Sequence, residues 1–105
     1  MTVRPPSSIG PQASLGEAIY DAFQHELLAE KAASLGRAGD LAAKAMARLH
    51  ALDRAAPERP AALREAAQAV HAWFIQREIC GLRRHQDVIR ELSIPQEVLA
   101  RLGAS

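Results

Sequence analysis

The sequence predicts an all-α fold: a long antiparallel helical hairpin plus a short C-terminal helix, dimerising into a four-helix-bundle-like assembly. Three observations carry that expectation. Alanine, the strongest helix former, supplies 22 of the 105 residues. The prolines at Pro57 and Pro60 divide the chain into two long helical stretches. Those stretches carry opposite charge: residues 15–30 hold Glu17, Asp21, Glu26 and Glu30 without Lys or Arg, whereas residues 77–90 hold Arg77, Arg83, Arg84 and Arg90 against Glu78 and Asp87. Folding back near Pro57 lays acid beside base. Each stretch also complements its own helix dipole, acids at the start of the first helix and arginines at the end of the second.

Residues 1–13 contain Pro5, Pro6, Gly10 and Pro11 with little to bury, and read as a flexible N-terminal arm. An alternative has the arm docking on a partner subunit through Val3 and Ile9. Residues 14–105 form a single helical domain. Its first helix is expected over 14–55, opened by Ser14 and Glu17 in a capping box, where each side chain satisfies a free backbone N–H of the other residue. Leu28, Leu35, Ala42 and Leu49 recur every seven residues, with Ala32, Gly39 and Met46 between them. Alternation of large and small residues lets two helices approach closely, as in a short coiled coil. Gly36 and Gly39 each cost roughly 1 kcal/mol relative to alanine inside a helix. Either they end one helix, with Asp40 capping the next, or Trp73 or Phe74 presses there against bare backbone. A continuous or merely kinked helix is the reading adopted.

The second helix is expected over 58–92, since both prolines suit a first turn with N–H groups to spare, and it frays or bends at Gly81. One face carries Leu63, Ala67, Val70, Phe74, Val88 and Leu92; another, roughly 100–120° away, carries Ile75, Ile79, Leu82 and Ile89. One partner helix covers only the first. The second is the candidate self-interface, covered most economically by a symmetry mate. Alanine buries little area, so the hairpin alone has a thin core. Ser93 and Gln96 repeat the capping pattern and open a short helix over 94–102, with Gly103 at its C-terminal cap.

A turn near residue 56 makes facing residues sum to about 112 in number. Gly39 then faces Trp73 and Phe74, and Ala32 faces Gly81. Leu28 lies beside Arg84, and His25 lies near Val88.

Little in the chain suggests catalysis. His25-Glu26-Leu27-Leu28-Ala29 misses the zinc-protease pattern because Ala29 stands where the second histidine belongs. His25, Glu26, Glu30, Arg84 and His85 form the candidate ligand cluster, read first as an ion-pair network and second as a metal or small-anion site. The Glu-x-x-His pair of di-iron bundles occurs nowhere in the chain. His50, His71 and Glu78 read as surface or interface residues, Cys80 as a small buried thiol, and Trp73-Phe74 as core. Arg83-Arg84-His85 looks basic alone, but nearby acids neutralise it, which argues against nucleic acid. There is no glycine-rich phosphate loop, and no cofactor is implied.

A formal net charge of +1 favours neither nucleic acid nor an anionic membrane. One cysteine excludes an intramolecular disulfide framework. No stretch approaches the roughly 20 apolar residues of a membrane span, and the start lacks a secretion-type apolar region. The expected setting is cytoplasmic.

Two stretches resemble a known family. They are Tyr20-Asp21-Ala22-Phe23-Gln24-His25-Glu26-Leu27-Leu28-Ala29-Glu30-Lys31-Ala32 running through Leu35-Gly36-Arg37-Ala38-Gly39, and Trp73-Phe74-Ile75-Gln76-Arg77-Glu78-Ile79-Cys80-Gly81-Leu82-Arg83 running through Ile94 to Gly103. Together they resemble a small bacterial family classed as a domain of unknown function, the likeness covering most of residues 17–103. The resemblance implies a bacterial, cytosolic, helical protein and brings no activity, cofactor or catalytic residue. The expected role is a non-enzymatic, homodimeric interaction or adaptor protein. The alternative is a metal- or small-ligand-binding bundle using His25, Glu26, Glu30 and His85.

Overall fold

Helix α1 runs from Pro11 to His50 without interruption, through both Gly36 and Gly39. The computed structural model describes residues 11–104, with side chains from Ser14 onward. It divides into two units, Met1–Ala32 and Ala33–Ser105. The expected N-terminal arm, with Val3 and Ile9, lies outside the described residues up to Gly10. Ser14 falls inside α1 rather than at its cap, because the helix already begins at Pro11; the first helical position has no use for the N–H that proline lacks. No strand occurs among the described residues.

In the second unit, α1 contributes Ala42, Ala45, Met46 and Leu49 to the core, and Leu35, Ala38 and Gly39 are half-buried on the same side. The seven-residue seam is therefore used from Leu35 to Leu49. α1 stops at His50, short of the expected 55. Leu49 is its last buried residue, and the backbone tightens as the Leu52 N–H donates to the Leu49 carbonyl (3.2 Å).

α2 (Arg59–Ile79) opens with Pro60 in its first turn and buries Ala62, Leu63, Ala66, Ala67, Val70 and Phe74. The interhelical register is visible at one point. A Cβ placed on Gly39 would lie 3.1 Å from Trp73 Nε1, so the absence of a side chain admits the indole. Phe74 is buried and Trp73 packs against the core from its edge.

α2 does not continue to residue 92. Gly81 adopts φ +89°; its N–H donates to Glu78 O (3.0 Å), and the Leu82 N–H donates to Arg77 O (2.8 Å). These two bonds make a Schellman stop, and its left-handed residue costs glycine little. Cys80, expected to be buried, is the half-buried C-cap of α2.

After the stop, α3 (Gln86–Glu91) places Val88 in the core, and Ile89 packs against its edge. Ser93 does not cap a following helix. It takes φ +51° and ends α3 by the same device, with the Ser93 N–H on Arg90 O (3.2 Å) and the Ile94 N–H on Ile89 O (2.9 Å). α4 is only Gln96–Leu99, opened by an extended Pro95, and turns follow it to Gly103. Ile94 and Val98 complete the core. α4 packs against α2, and Arg59 clamps it with a two-pronged ion pair to Glu97 (Nη1–Oε1 3.1 Å, Nη2–Oε2 2.5 Å). The His50 Nε2–H donates to Leu92 O (3.2 Å), tying the end of α1 to the end of α3.

Five of the thirteen core residues are alanine (Ala42, Ala45, Ala62, Ala66 and Ala67), so the core is close-packed but small. That limits how much apolar area the second unit withdraws from water.

Candidate functional site

Three large apolar side chains stand exposed at the C-terminal end of α2 and just beyond: Ile75, Ile79 and Leu82. They occupy the face that the seam with α1 does not use. Ile89, the fourth member of the expected self-interface, turns toward the core and is half-buried there. Arg83 and Arg84 border the patch and are exposed.

Behind the patch lies a network that holds the α2–α3 junction. The Arg77 guanidinium sits 5.6 Å from the Trp73 ring centroid, within range of a cation–π contact. Its Nη2 donates to Arg84 O (2.9 Å) and its Nε donates to His85 Nδ1 (3.1 Å). A ring nitrogen that accepts carries no proton, so His85 is the neutral imidazole protonated on Nε2. That Nε2–H donates to Glu78 Oε2 (3.0 Å). The ring also stacks on Phe74, with centroids 4.0 Å apart and planes 8° apart, and only 13% of the side chain is exposed. With both ring nitrogens engaged, His85 has none spare for a metal or a proton transfer in this arrangement. Its role here is to fix the junction that presents Ile79, Leu82, Arg83 and Arg84.

The remaining members of the expected ligand cluster belong to the first unit, where His25, Glu26 and Glu30 are all exposed on α1. Among the described residues, no group of three or more His, Cys, Asp or Glu side chains is placed to hold a metal ion.

The first unit has an apolar feature of its own. Leu15, Ile19, Tyr20, Phe23, Leu27 and Leu28 are all exposed, Phe23 to 58%, and no residue from 14 to 41 is buried. Leu15, Ile19, Phe23 and Leu27 recur every four residues, so they form one stripe that turns slowly around the helix. The four acids Glu17, Asp21, Glu26 and Glu30 share this segment. The four-residue spacing was available in the sequence. The expectation that the second helix runs to residue 92 hides it, because that helix then gives this part of α1 a partner within the chain.

No helix among the described residues is long and apolar enough to cross a membrane. A family model described as a family of unknown function (DUF6665) matches residues 9–105. No curated protein and no solved structure shows a match.

Proposed function

The chain belongs to this family of unknown function, membership supplies no activity, and we propose from the geometry that it is a non-enzymatic, self-associating interaction module. The observation that carries the reading is the apolar stripe of residues 15–28. Six large apolar side chains on an acidic helix segment face water, in a chain with a small alanine-rich core. Exposed apolar patches of this kind mark docking surfaces.

A second copy is the occupant that charge favours. The segment with Glu17, Asp21, Glu26 and Glu30 is complementary to the Ile75/Ile79/Leu82 patch bordered by Arg83 and Arg84. Stripe against stripe would instead bring eight carboxylates together. A reciprocal exchange, each stripe on the other copy's patch, closes with twofold symmetry and leaves no open end. Full burial of a large apolar side chain stabilises by about 1.5–3 kcal/mol. Half of that over about fourteen such side chains, four from each stripe and three from each patch, offsets the roughly 4–15 kcal/mol cost of association. We place this module in the cytoplasm as part of the same reading, and its further partners would be proteins recognised by the assembled dimer.

Light scattering across a dilution series tests the proposal. The expected mass is twice 11.4 kDa. Ile19→Glu/Phe23→Glu and Ile75→Glu/Ile79→Glu should each give monomers that keep cooperative unfolding. Arg83→Glu/Arg84→Glu should weaken the dimer, and adding Glu26→Arg/Glu30→Arg should restore it. A wild-type monomer at every concentration would overturn the reading.

A further inference from the structure

Four arginines converge at the opposite end of α2 from the patch. A cleft of about 180 Å³ is lined by Arg54, Arg59, Pro60, Leu63, Arg64 and Arg101. They come from the α1–α2 connection, the first turns of α2, and the turns after α4. Arg64 and Arg101 are also shared with a smaller neighbouring cleft that includes Gln68.

One carboxylate serves this group. Glu97 is held at both oxygens by Arg59, and Arg54 reaches the same carboxylate only at 4.0 Å. The ion pairs of Glu97 are with Arg59 and Arg54; the Arg101 charge acts on that carboxylate from farther away, and the Arg64 side chain is exposed. Asp53 and Glu58 lie nearby in the chain, but neither lines the cleft. The lining guanidiniums therefore exceed their carboxylate by three positive charges, in a chain whose formal net charge is +1. Concentrated like charge without a counter-ion is unfavourable, and an anion placed among these groups would relieve it.

We propose that Arg54, Arg64 and Arg101, backed by the Arg59–Glu97 pair, bind a phosphate-type oxyanion. A guanidinium presents a planar fork of donors that matches two oxygens of a phosphoryl group. Two or three such forks suit a multiply charged group with oxygens on several sides. A carboxylate needs only one fork, as Glu97 on Arg59 demonstrates. The Arg59–Glu97 pair does not compete for the ligand; it fixes the wall on which Arg54 and Arg101 stand. The site is open to solvent, so binding should weaken steeply as salt rises. The proposal stands independently of the dimer, since every residue in it lies in the second unit.

The test is calorimetric titration of inorganic pyrophosphate into the full-length protein at low salt. Saturable binding is expected, and Arg64→Ala/Arg101→Ala should weaken it about tenfold or more. Lys44→Ala/Arg90→Ala removes the same charge at exposed positions outside the cleft and outside the proposed self-interface, and should leave binding within about twofold of wild type. If the cleft variant unfolds, Arg54→Ala alone supplies the readout, because that side chain is 85% exposed and supports no packing. Absence of saturable binding at millimolar pyrophosphate, or equal loss in both double variants, would overturn the proposal. Sedimentation with phosphatidic acid vesicles distinguishes the source. Cleft-dependent co-sedimentation would assign the phosphate to a lipid headgroup, and pyrophosphate binding without it would assign a free anion; either upholds the oxyanion site.

Discussion

The two halves of α1 belong to one helix and have opposite fates. From residue 33 onward the helix buries Ala42, Ala45, Met46 and Leu49, whereas from Ser14 to Ala32 it buries nothing. The first half has the larger apolar side chains, including Phe23, Tyr20 and Ile19, and the buried set includes two alanines. Apolar content therefore did not decide which half is covered; the reach of the partner helix did. Gly39 meets Trp73, so facing residue numbers sum to 112. By that register Ile79, the last residue of α2, reaches residue 33, and the boundary between the two units falls there. The Gly81 stop thus ends the helix that covers the second unit's part of α1, whereas the large apolar side chains of residues 15–28 are exposed.

The sharpest way to break that contrast is a matched pair of leucine truncations. Leu49→Ala in the covered half should cost about 2–5 kcal/mol by urea denaturation, because a fully buried leucine leaves a cavity among close-packed neighbours. Leu28→Ala, measured at a dilution where the protein is monomeric, should stay within about 0.5 kcal/mol of wild type. Equal costs would mean that the first half is packed within its own chain in solution, and the self-association reading would lose its basis.

A smaller effect sharpens the contrast inside the covered half. A Cβ at Gly36 meets nothing within 4 Å, so Gly36→Ala should stabilise by up to about 1 kcal/mol through helix propensity. The same change at Gly39 brings a methyl to 3.1 Å from Trp73 Nε1, tight enough that the indole must shift. Gly39→Ala should lose the propensity gain and perturb Trp73 fluorescence. If both variants stabilised equally, Trp73 would not be seated on Gly39, and the register that locates the end of covered helix would be wrong.

Much of this organisation was legible in the sequence. Pro57 and Pro60 mark the break between the long helices, and the seven-residue spacing of Leu35, Ala42 and Leu49 identifies the seam. The pairing of Gly39 with Trp73 followed from the turn position alone. Two errors had physical causes. The helical spacing of the apolar residues beyond Gly81 predicts no more than a bend there, yet its freedom at positive φ makes it a stop. The Ser-x-x-Gln pattern predicts an N-cap at Ser93, whereas the preceding short helix uses that residue as a left-handed terminator. Extending α2 to residue 92 assigned the first half of α1 an internal partner and concealed its exposed stripe. The arginine cleft was invisible for another reason: Arg54, Arg64 and Arg101 are far apart in sequence, and only the return of α4 onto α2 brings them together.

The smallest expected effect tests what holds that return in place, the Arg59–Glu97 tether of the covered unit. The hydrogen bonds from Arg59 are the main cause holding the Glu97 carboxyl below its usual range; partial desolvation opposes them, and the charges of Arg59, Arg54 and Arg101 reinforce them. A carboxyl with a lower pKa in the folded state is more readily protonated when unfolded. The pair therefore stabilises the fold above the ordinary glutamate pKa of about 4.3, and this contribution is lost as pH falls through the lowered folded value. Glu97→Gln removes the titration but keeps a side chain of similar shape. Wild type should be the more stable of the two near pH 7, and their urea midpoints should converge as pH drops below about 4. A gap that persisted unchanged in acid would show that Glu97 acts through packing alone. The clamp would then be one of shape.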